Sequence, residues 1–162
     1  MLLLLIRHAH AGNRDPAQWP DDRDRPLTKK GRKRHRAVSR ALARLGARPT
    51  LVLTSPWTRA RQTAQILADE LTLDANPMAC DALAASPALA RLTEAIGQPA
   101  PSAVVALVGH SPWIEELGGI LLAGTPEGVR IDFPKSGVLG IDLEALLPGS
   151  GELRFFLRPG MA

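Results

Sequence analysis

Apolar runs of strand length alternate along this chain with segments in which apolar residues recur at helical spacing. Leu2–Ile6 and Ala103–Val108 are continuous apolar runs, which are typical of strands covered on both faces. Leu51–Leu53 predicts a third strand, and the weak pattern around Pro77–Cys80 indicates a short edge strand. The alternation of strands and helices predicts an α/β domain with a mostly parallel central sheet.

Four helices are predicted from apolar spacing and from residues that favour helix ends. Thr28 is a capping residue for the first helix and Gly46 ends it; the predicted inner face consists of Val38, Ala41, Leu42 and Leu45. A serine–proline pair opens each of the other three helices, at Ser55-Pro56, Ser86-Pro87 and Ser111-Pro112. The expected ends of these helices are Leu71, Gly97 and Gly124.

Two further regions lie outside this alternation. The polar stretch Arg7–Pro26 is long for a connection inside a compact domain, and loops of that length are usually functional. The last part of the chain predicts three β segments separated by turns, at Val129–Phe133, Val138–Leu143 and Glu152–Leu157.

The composition predicts a globular protein that forms a single domain over residues 1–162. Hydrophobic residues make up 45% and charged residues 22% of the chain, a balance that excludes disorder and coiled coil. The one cysteine, Cys80, excludes an internal disulfide and a cysteine-based zinc site, and it is typical of a reducing compartment. Leu2–Ile6 is too short to span a membrane and lacks a basic leader, so we expect a cytoplasmic protein without a membrane partner.

The net charge of +4 conceals an uneven distribution. Residues 1–61 hold 15 Lys and Arg against 4 Asp and Glu, a balance of +11, whereas the remainder carries −7. Much of the excess lies on the outer face of the Lys29–Arg44 helix. Such a face is either solvated or binds an acidic partner, a phosphorylated protein or a nucleic acid. No aromatic residues accompany these basic side chains, so a nucleic-acid partner is not expected.

Histidines follow two of the predicted strands. His8 comes just after Leu2–Ile6, and His110 just after Ala103–Val108. Because ligands bind at the carboxyl ends of parallel strands, we expect the two imidazoles to lie close together. Arg59 and Arg61 lie near the start of the helix after the third strand, where main-chain N–H groups also favour an anion. Phosphate fits such a set of donors best.

One imidazole in such a site can attack phosphorus while the other binds the transferring group. This chemistry requires no metal ion and no cofactor, and we expect neither. A metal-dependent hydrolase built on His8, His10 and His110 remains an alternative, as does a non-catalytic adaptor that binds through the basic helix face. Either histidine alone would more commonly be a structural residue with one hydrogen bond.

Several blocks of this sequence together resemble the histidine phosphatase superfamily, which includes the phosphoglycerate mutases. They are Arg7-His8-Ala9, Asp22–Gly31, Ser55–Ala64, Gly109–Pro112 and Phe133–Gly137. The Asp22–Gly31 and Phe133–Gly137 blocks are most similar to the SixA-type phosphohistidine phosphatases. The resemblance implies a three-layer α/β/α sandwich with a mostly parallel sheet, phosphoglycerate mutase-like, and hydrolysis through a phosphohistidine enzyme intermediate.

The resemblance also implies roles for individual residues. His8 would accept the phosphoryl group, Arg7, Arg59 and His110 would hold it, and Ser111 would add a donor. His10 departs from the family pattern, and we expect it to line the pocket rim; Asp81 is a further candidate for contact with the substrate. Asp81 stands roughly where mutase-type relatives carry a proton donor, although their Glu-rich motif is absent. Asp22, Asp24 and Arg25 are expected to fix the first loop through salt bridges. Trp57 and Trp113 either wall the pocket or pack the helix starts.

The missing proton donor bears on the substrate. An alkoxide leaving group needs a proton from the enzyme, whereas the imidazole of a phosphohistidine leaves easily once it is protonated. The short chain has no large insertion to roof the pocket, which favours access by a protein surface. We therefore expect a signalling protein that carries phosphohistidine as the substrate, with a small phosphate ester or a nucleotide as the alternative.

Overall fold

The computed structural model describes residues 1–160, which form six strands, four α-helices and two short 3-10 turns. In chain order the regular elements are β1 (Leu2–Arg7), α1 (Lys29–Arg44), β2 (Leu51–Thr54), α2 (Thr58–Leu71), β3 (Met78–Ala79), α3 (Leu89–Ile96), β4 (Val104–Gly109), α4 (Trp113–Ala123), β5 (Val138–Asp142) and β6 (Glu152–Leu157). The 3-10 turns are Asp22–Asp24 and Asp81–Ala84. Within residues 1–160, no helix is long and apolar enough to cross a membrane.

The strands form one sheet in the order β3-β2-β4-β1-β5-β6. β1, β2, β3 and β4 are parallel to one another, while β5 runs antiparallel to β1 and β6 antiparallel to β5. The predicted α/β class with a mostly parallel sheet is confirmed, and β3 is the short edge strand that the sequence indicated. β4 comes late in the chain but lies between β1 and β2.

Alternate residues of β1 contribute to two separate hydrophobic clusters on opposite faces of the sheet. Leu3 and Leu5 pack in a cluster that contains residues of α3 and α4, whereas Leu4 and Ile6 pack with residues of α1 and α2. All four side chains are fully buried, and burying a leucine contributes about 1.5–3 kcal/mol. The sheet therefore lies between two helix layers, as the three-layer prediction requires.

The first helix begins as its sequence predicts. The Thr28 hydroxyl accepts a hydrogen bond from the Gly31 N–H at 3.0 Å, which caps α1. The prediction that Leu45 lies on the inner face is wrong, because this side chain is 56% exposed. α1 ends at Arg44, and the chain turns away from the core through Gly46, which has a φ of +71°.

The serine–proline pairs do not cap the three later helices, which begin two or three residues further on. α2 starts at Thr58 because the Ser55 side chain is buried, where its hydroxyl contacts His110 and accepts a hydrogen bond from the Trp57 N–H at 3.3 Å. α3 and α4 likewise begin without a side-chain cap from their serines. The predicted helix ends at Leu71, Gly97 and Gly124 are confirmed.

The predicted β segment at Val129–Phe133 is wrong. These residues form an irregular loop, although the Phe133 side chain is buried against the core. Its carbonyl accepts a hydrogen bond from the Arg7 guanidinium instead of from a neighbouring strand. The other two segments are confirmed as β5 and β6. The apolar alternation thus indicated burial correctly for Phe133 but not for the exposed Val129, and it did not indicate strand pairing correctly.

Candidate active site

Two histidines meet at the carboxyl ends of β1 and β4. Arg7 pairs with Gly109 in the parallel register, so the next residue of each strand is a histidine at the same level of the sheet. The His8 N–H donates to the Gly109 carbonyl at 3.0 Å, and the His8 and His110 ring centroids lie 5.1 Å apart. Both side chains are buried. The expected proximity of the two imidazoles is confirmed.

The His8 ring has one fixed tautomer. Its Nδ1 lies 2.7 Å from the Ala9 carbonyl oxygen, and because a carbonyl only accepts, Nδ1 carries the hydrogen. The lone pair is therefore on Nε2, which receives a hydrogen bond from Arg59 Nε at 3.3 Å. A neutral imidazole with a fixed Nδ1–H and its lone pair on Nε2 is the form that acts as a nucleophile.

Burial and the surrounding cations keep both rings neutral. Burial chiefly, and then His110, Arg59 and Arg7, lower the pKa of His8 to about 2, which outweighs the opposing effect of the Ala9 hydrogen bond. Burial first, and then Arg59, lower the pKa of His110 to about 3, against the raising effect of Asp22. Both imidazoles are therefore uncharged at neutral pH, and no proton blocks the His8 Nε2 lone pair.

Arg59 is held by contacts from two sides. It lies in the first turn of α2 with its guanidinium carbon 4.6 Å from the centre of the Trp57 ring. Its Nη1 donates to the Asp22 carbonyl at 2.8 Å, and its Nη2 lies 3.2 Å from the Asp22 carboxylate. Arg25 donates to the same carboxylate at 2.8 Å. This chain of contacts fixes a buried guanidinium beside the His8 nitrogen.

Two polar nitrogens beside His8 are buried without a hydrogen-bond partner. Arg7 uses Nη1 to donate to the Phe133 carbonyl at 2.5 Å, but its Nε has no partner among the described residues. His110 Nε2 lies 2.8 Å from the Ser55 hydroxyl, while its Nδ1 is likewise unpartnered. A buried polar atom without a partner costs about 1–3 kcal/mol, so these two atoms favour an anionic ligand.

Comparison with known proteins gives the family of the chain. A family model described as the histidine phosphatase superfamily (branch 1) matches residues 3–82. An uncharacterised protein of Picosynechococcus sp. is 36% identical over 143 residues, which cover 87% of this chain and 84% of that protein. The chain belongs to the histidine phosphatase superfamily.

Solved structures place this histidine phosphatase with the SixA-type branch. The structure of the protein histidine phosphatase SixA complexed with tungstate has a TM-score of 0.81 and 23% identity, covering 99% of this chain and 98% of that one. A SixA structure from Agrobacterium tumefaciens has a TM-score of 0.78 and 25% identity, covering 98% and 97% of the two chains. The predicted resemblance is confirmed, and the protein is a hydrolase of the phosphatase class.

The remaining predicted residues of this histidine phosphatase lie further out. Ser111 is exposed and donates to Glu115 Oε1 at 2.6 Å. His10 Nδ1 lies 3.0 Å from the Thr28 hydroxyl, at the rim rather than beside His8. Asp81 is exposed in the second 3-10 turn, and no described contact joins it to the two histidines. Arg61 is also exposed, so of the two predicted helix arginines only Arg59 lies in the site.

The metal alternative finds no geometric support in the described part of the chain. Within residues 1–160, no group of three or more histidine, cysteine or acidic side chains is arranged to hold a metal ion. His10 in particular is directed to Thr28 and does not join His8 and His110 in a common cluster.

Thr63 and Glu115 support the site although the sequence did not single them out, and Trp57 takes the wall position that the sequence left as one of two alternatives. Thr63 accepts a hydrogen bond from the Ala9 N–H at 3.0 Å and donates to the Arg59 carbonyl at 2.7 Å, which ties the two motif segments together. The Trp57 ring lies 4.3 Å from that of His110 and so walls the site. Glu115 lies 3.8 Å from Arg7. Thr63 and Trp57 both belong to a block that carries the family resemblance, but their contacts cross the fold.

Proposed function

We propose that this histidine phosphatase transfers a phosphoryl group from its substrate to His8 and then to water. The His8 Nε2 lone pair attacks phosphorus in line with the leaving group. Arg7, Arg59 and His110 bind the phosphoryl oxygens and stabilise their charge as the group moves, and removing one such donor typically costs about 10²–10³ in kcat. Ser111 lies at the edge of the site, where its hydroxyl would turn from Glu115 to donate to a phosphoryl oxygen.

The proposed reaction consists of two displacements at phosphorus. A bond forms from His8 Nε2 to phosphorus while the bond to the leaving group breaks, and its electron pair departs with that group. Water then attacks phosphorus, the Nε2–phosphorus bond breaks and its pair returns to Nε2, and the water proton passes to phosphate or solvent. His8 is thus regenerated as the neutral imidazole that donates through Nδ1 to the Ala9 carbonyl.

The observation that carries this proposal is the pair of buried, unpartnered nitrogens beside the His8 lone pair. Arg7 Nε and His110 Nδ1 are both buried without a partner. When the Ser55 hydroxyl donates to His110 Nε2, Nδ1 carries a hydrogen and donates to an oxyanion. A phosphoryl group beside His8 Nε2 would satisfy both nitrogens, which supports its placement there.

Phosphohistidine on a signalling protein is the substrate we propose. Two acids contact the site residues, and both are engaged with arginines: Asp22 with Arg25 and Arg59, and Glu115 with Arg7. Hydrogen bonding to Arg25, chiefly, holds the pKa of Asp22 below its usual range, so it is ionised and unsuited to donate a proton. A phosphoimidazole needs no strong acid from the enzyme, since its second ring nitrogen is readily protonated, and it departs as neutral imidazole.

The compartment that we propose is the cytoplasm. Cys80 is half-buried and free, and a lone thiol is typical of proteins in reducing surroundings. Phosphorylated proteins that signal inside the cell would meet the enzyme there.

A substrate panel on the wild type and on His8→Ala tests the function. We expect turnover of a phosphohistidine protein to exceed that of phosphate monoesters and nucleotides, with an acid-labile phosphoenzyme trapped by rapid acid quench. His8→Ala should lose both the phosphoenzyme and turnover. Faster hydrolysis of an ester would assign the small-molecule alternative, and persistent turnover by His8→Ala would remove the nucleophile.

Two controls separate the other classes. Activity that survives exhaustive chelation, together with inhibition by vanadate, argues against a metal-dependent hydrolase. A non-catalytic adaptor would form no phosphoenzyme at all and would release no phosphate from any member of the panel.

A further inference from the structure

A cleft of 590 Å³ lies beside the phosphoryl site. It is formed by chain segments that are distant in sequence: the first loop, the start of α1, the loop before β5 and the segment after β6. We call it the basic cleft and define it by the side chains of His10, Arg34, Lys135 and Arg158. Its volume far exceeds the space that one phosphoryl group occupies.

The basic cleft adjoins the site through the main chain. Ser136, which lines the cleft, donates through its N–H to the Arg7 carbonyl at 3.1 Å. Burial, and then the charges of Arg7, Arg25 and Arg59, lower the pKa of Lys135, so its ammonium lies in the field of the arginines around the phosphoryl site. A ligand anchored at His8 would therefore extend into this cleft.

The charge of the basic cleft is largely uncompensated. Among the residues that the structure describes, Arg158 forms an ion pair with Asp132 at 2.7 Å, while Arg34 and Lys135 have no carboxylate partner. None of the described residues that line the cleft is acidic. Arg34 and the half-buried Lys135, two cations without ion-pair partners, favour an anionic ligand in the cleft.

Arg34 differs in this respect from its neighbours on α1. Arg36 and Arg40 both contact the Glu70 carboxylate of α2, at 3.3 and 2.8 Å, so part of the basic helix face is neutralised within the molecule. Arg34 lines the basic cleft instead. Part of the excess charge that the sequence places on this helix thus lies on a wall of the basic cleft, in the N-terminal half of α1.

We propose that the basic cleft binds acidic residues that flank the phosphohistidine on a partner protein, an inference that rests on the function proposed above. Carboxylates spaced along a peptide segment can reach Lys135 and Arg34 separately, because these residues come from different walls of the cleft. Pro134 and Pro159 supply apolar surface between the cations for the aliphatic parts of such side chains.

Phosphohistidine peptides of equal length with acidic, neutral or lysine-rich flanks test the docking. For the wild type we expect kcat/KM on the acidic peptide to exceed that on the neutral peptide about ten-fold, because KM is lower for the acidic peptide. The ratio of the two kcat/KM values should fall as salt is added. The double variant Arg34→Glu, Arg158→Glu should lose this preference and favour the lysine-rich peptide. Equal kcat/KM for acidic and neutral peptides in the wild type would overturn the proposal.

Arg44→Glu is the matched control. It makes the same charge change as Arg34→Glu alone, on an exposed arginine of α1 about 15 Å along the helix from Arg34, which is beyond the screening length of about 10 Å at 0.1 M salt. It should retain the wild-type peptide preference. A loss as large as that of the double variant would mean that net charge, not the basic cleft, selects the peptide.

Binding separates this proposal from the proposed function. Fluorescence anisotropy with the same peptides in unphosphorylated form should show tighter binding of the acidic one, whether or not any peptide is hydrolysed. Tighter binding without turnover would sustain the docking while refuting the function. A small molecule with two phosphate groups is tested last, as a competitor of the acidic peptide. If it binds more tightly than the peptide and its binding depends on Arg34, the basic cleft holds a second phosphate group, and the proposal that it binds acidic residues of a protein fails.

Discussion

Asp22 contacts Arg59 with both its main chain and its side chain. The Asp22 carbonyl accepts from Nη1 at 2.8 Å, and the carboxylate lies 3.2 Å from Nη2, although the two residues are separated by most of α1, β2 and their connections. Arg59 in turn donates through Nε to His8. The long first loop therefore positions the guanidinium that lies against the proposed nucleophile.

Replacing Asp22 by Asn should lower kcat on a phosphohistidine substrate about ten-fold, because a charge-assisted hydrogen bond contributes about 1.5–3 kcal/mol and the main-chain contact would survive. Steady-state kinetics and thermal unfolding measure the effect; the melting temperature should fall by several degrees, so kcat is compared well below it. Asp21→Asn is the control, since Asp21 pairs only with the exposed Arg23. Equal losses of kcat in the two variants would show that the Asp22 carboxylate does not act through Arg59.

The Ser55 hydroxyl orients the second imidazole. Ser55→Ala removes the 2.8 Å contact to His110 Nε2, so the ring loses its fixed tautomer and we expect kcat to fall about ten-fold with the phosphoenzyme still detectable. The matched control is Ser39→Ala, another buried serine, whose hydroxyl donates to the His35 carbonyl within α1. Rapid-quench kinetics measures phosphoenzyme formation. Unchanged kcat in Ser55→Ala would show that His110 is held by other contacts.

A buried histidine outside the site makes stability depend on pH. His35 is fully buried in α1, and burial chiefly lowers its pKa to about 4 from the ordinary 6.5. Between these values the unfolded chain binds more protons than the folded one, so stability is fully present above pH 6.5 and is lost as pH falls toward 4. The loss is at most about 3 kcal/mol from this residue.

Urea unfolding at pH 7.5 and at pH 4.5 measures this contribution. His35→Leu should show a smaller difference between the two free energies of unfolding than the wild type, because the substituted side chain binds no proton. Part of the difference will remain, since burial also lowers the pKa values of His8 and His110. A variant as sensitive to acid as the wild type would contradict the assignment.

Gly31 permits α1 to begin against the first loop. A Cβ there would lie 2.1 Å from the His10 carbonyl oxygen, which accepts from the Thr28 N–H at 3.0 Å. Helix propensity alone predicts that Gly31→Ala stabilises by about 1 kcal/mol, whereas the clash predicts a loss of about 1–3 kcal/mol. Thermal unfolding shows which effect is larger: a lower melting temperature for Gly31→Ala means that the clash prevails, and a higher one means that helix propensity does. The difference between Lys33→Gly and Lys33→Ala, at an exposed position of the same helix, measures the propensity effect without the clash.

Much of the fold follows from local pattern. β1 and β4 are continuous apolar runs, and their parallel pairing brings His8 and His110 together by the general rule for strand ends. The Val129–Phe133 loop escaped prediction because an apolar residue can be buried without a strand partner, as Phe133 is. The periodicity of apolar residues does not distinguish a buried loop residue from a residue in a paired strand.

The outer parts of the site could not be predicted for a related reason. Asp22 was expected only to fix a loop, and its contact with Arg59 depends on how the first loop folds over α2, which no local spacing encodes. Glu115 lies one helical turn beyond Ser111, yet its approach to Arg7 depends on the placement of α4 against β1. The basic cleft is assembled from four distant segments and has no sequence signature of its own.

The position of β4 between β1 and β2 has a consequence for how the enzyme comes into being. During synthesis β1 and β2 leave the ribosome long before β4. They therefore have no common neighbour to pair with until residues 104–109 emerge. The insertion that completes the central sheet also delivers the second imidazole. A half-made chain without β4 therefore lacks one of the two imidazoles, and the proposed site cannot assemble until residues 104–110 have joined the sheet.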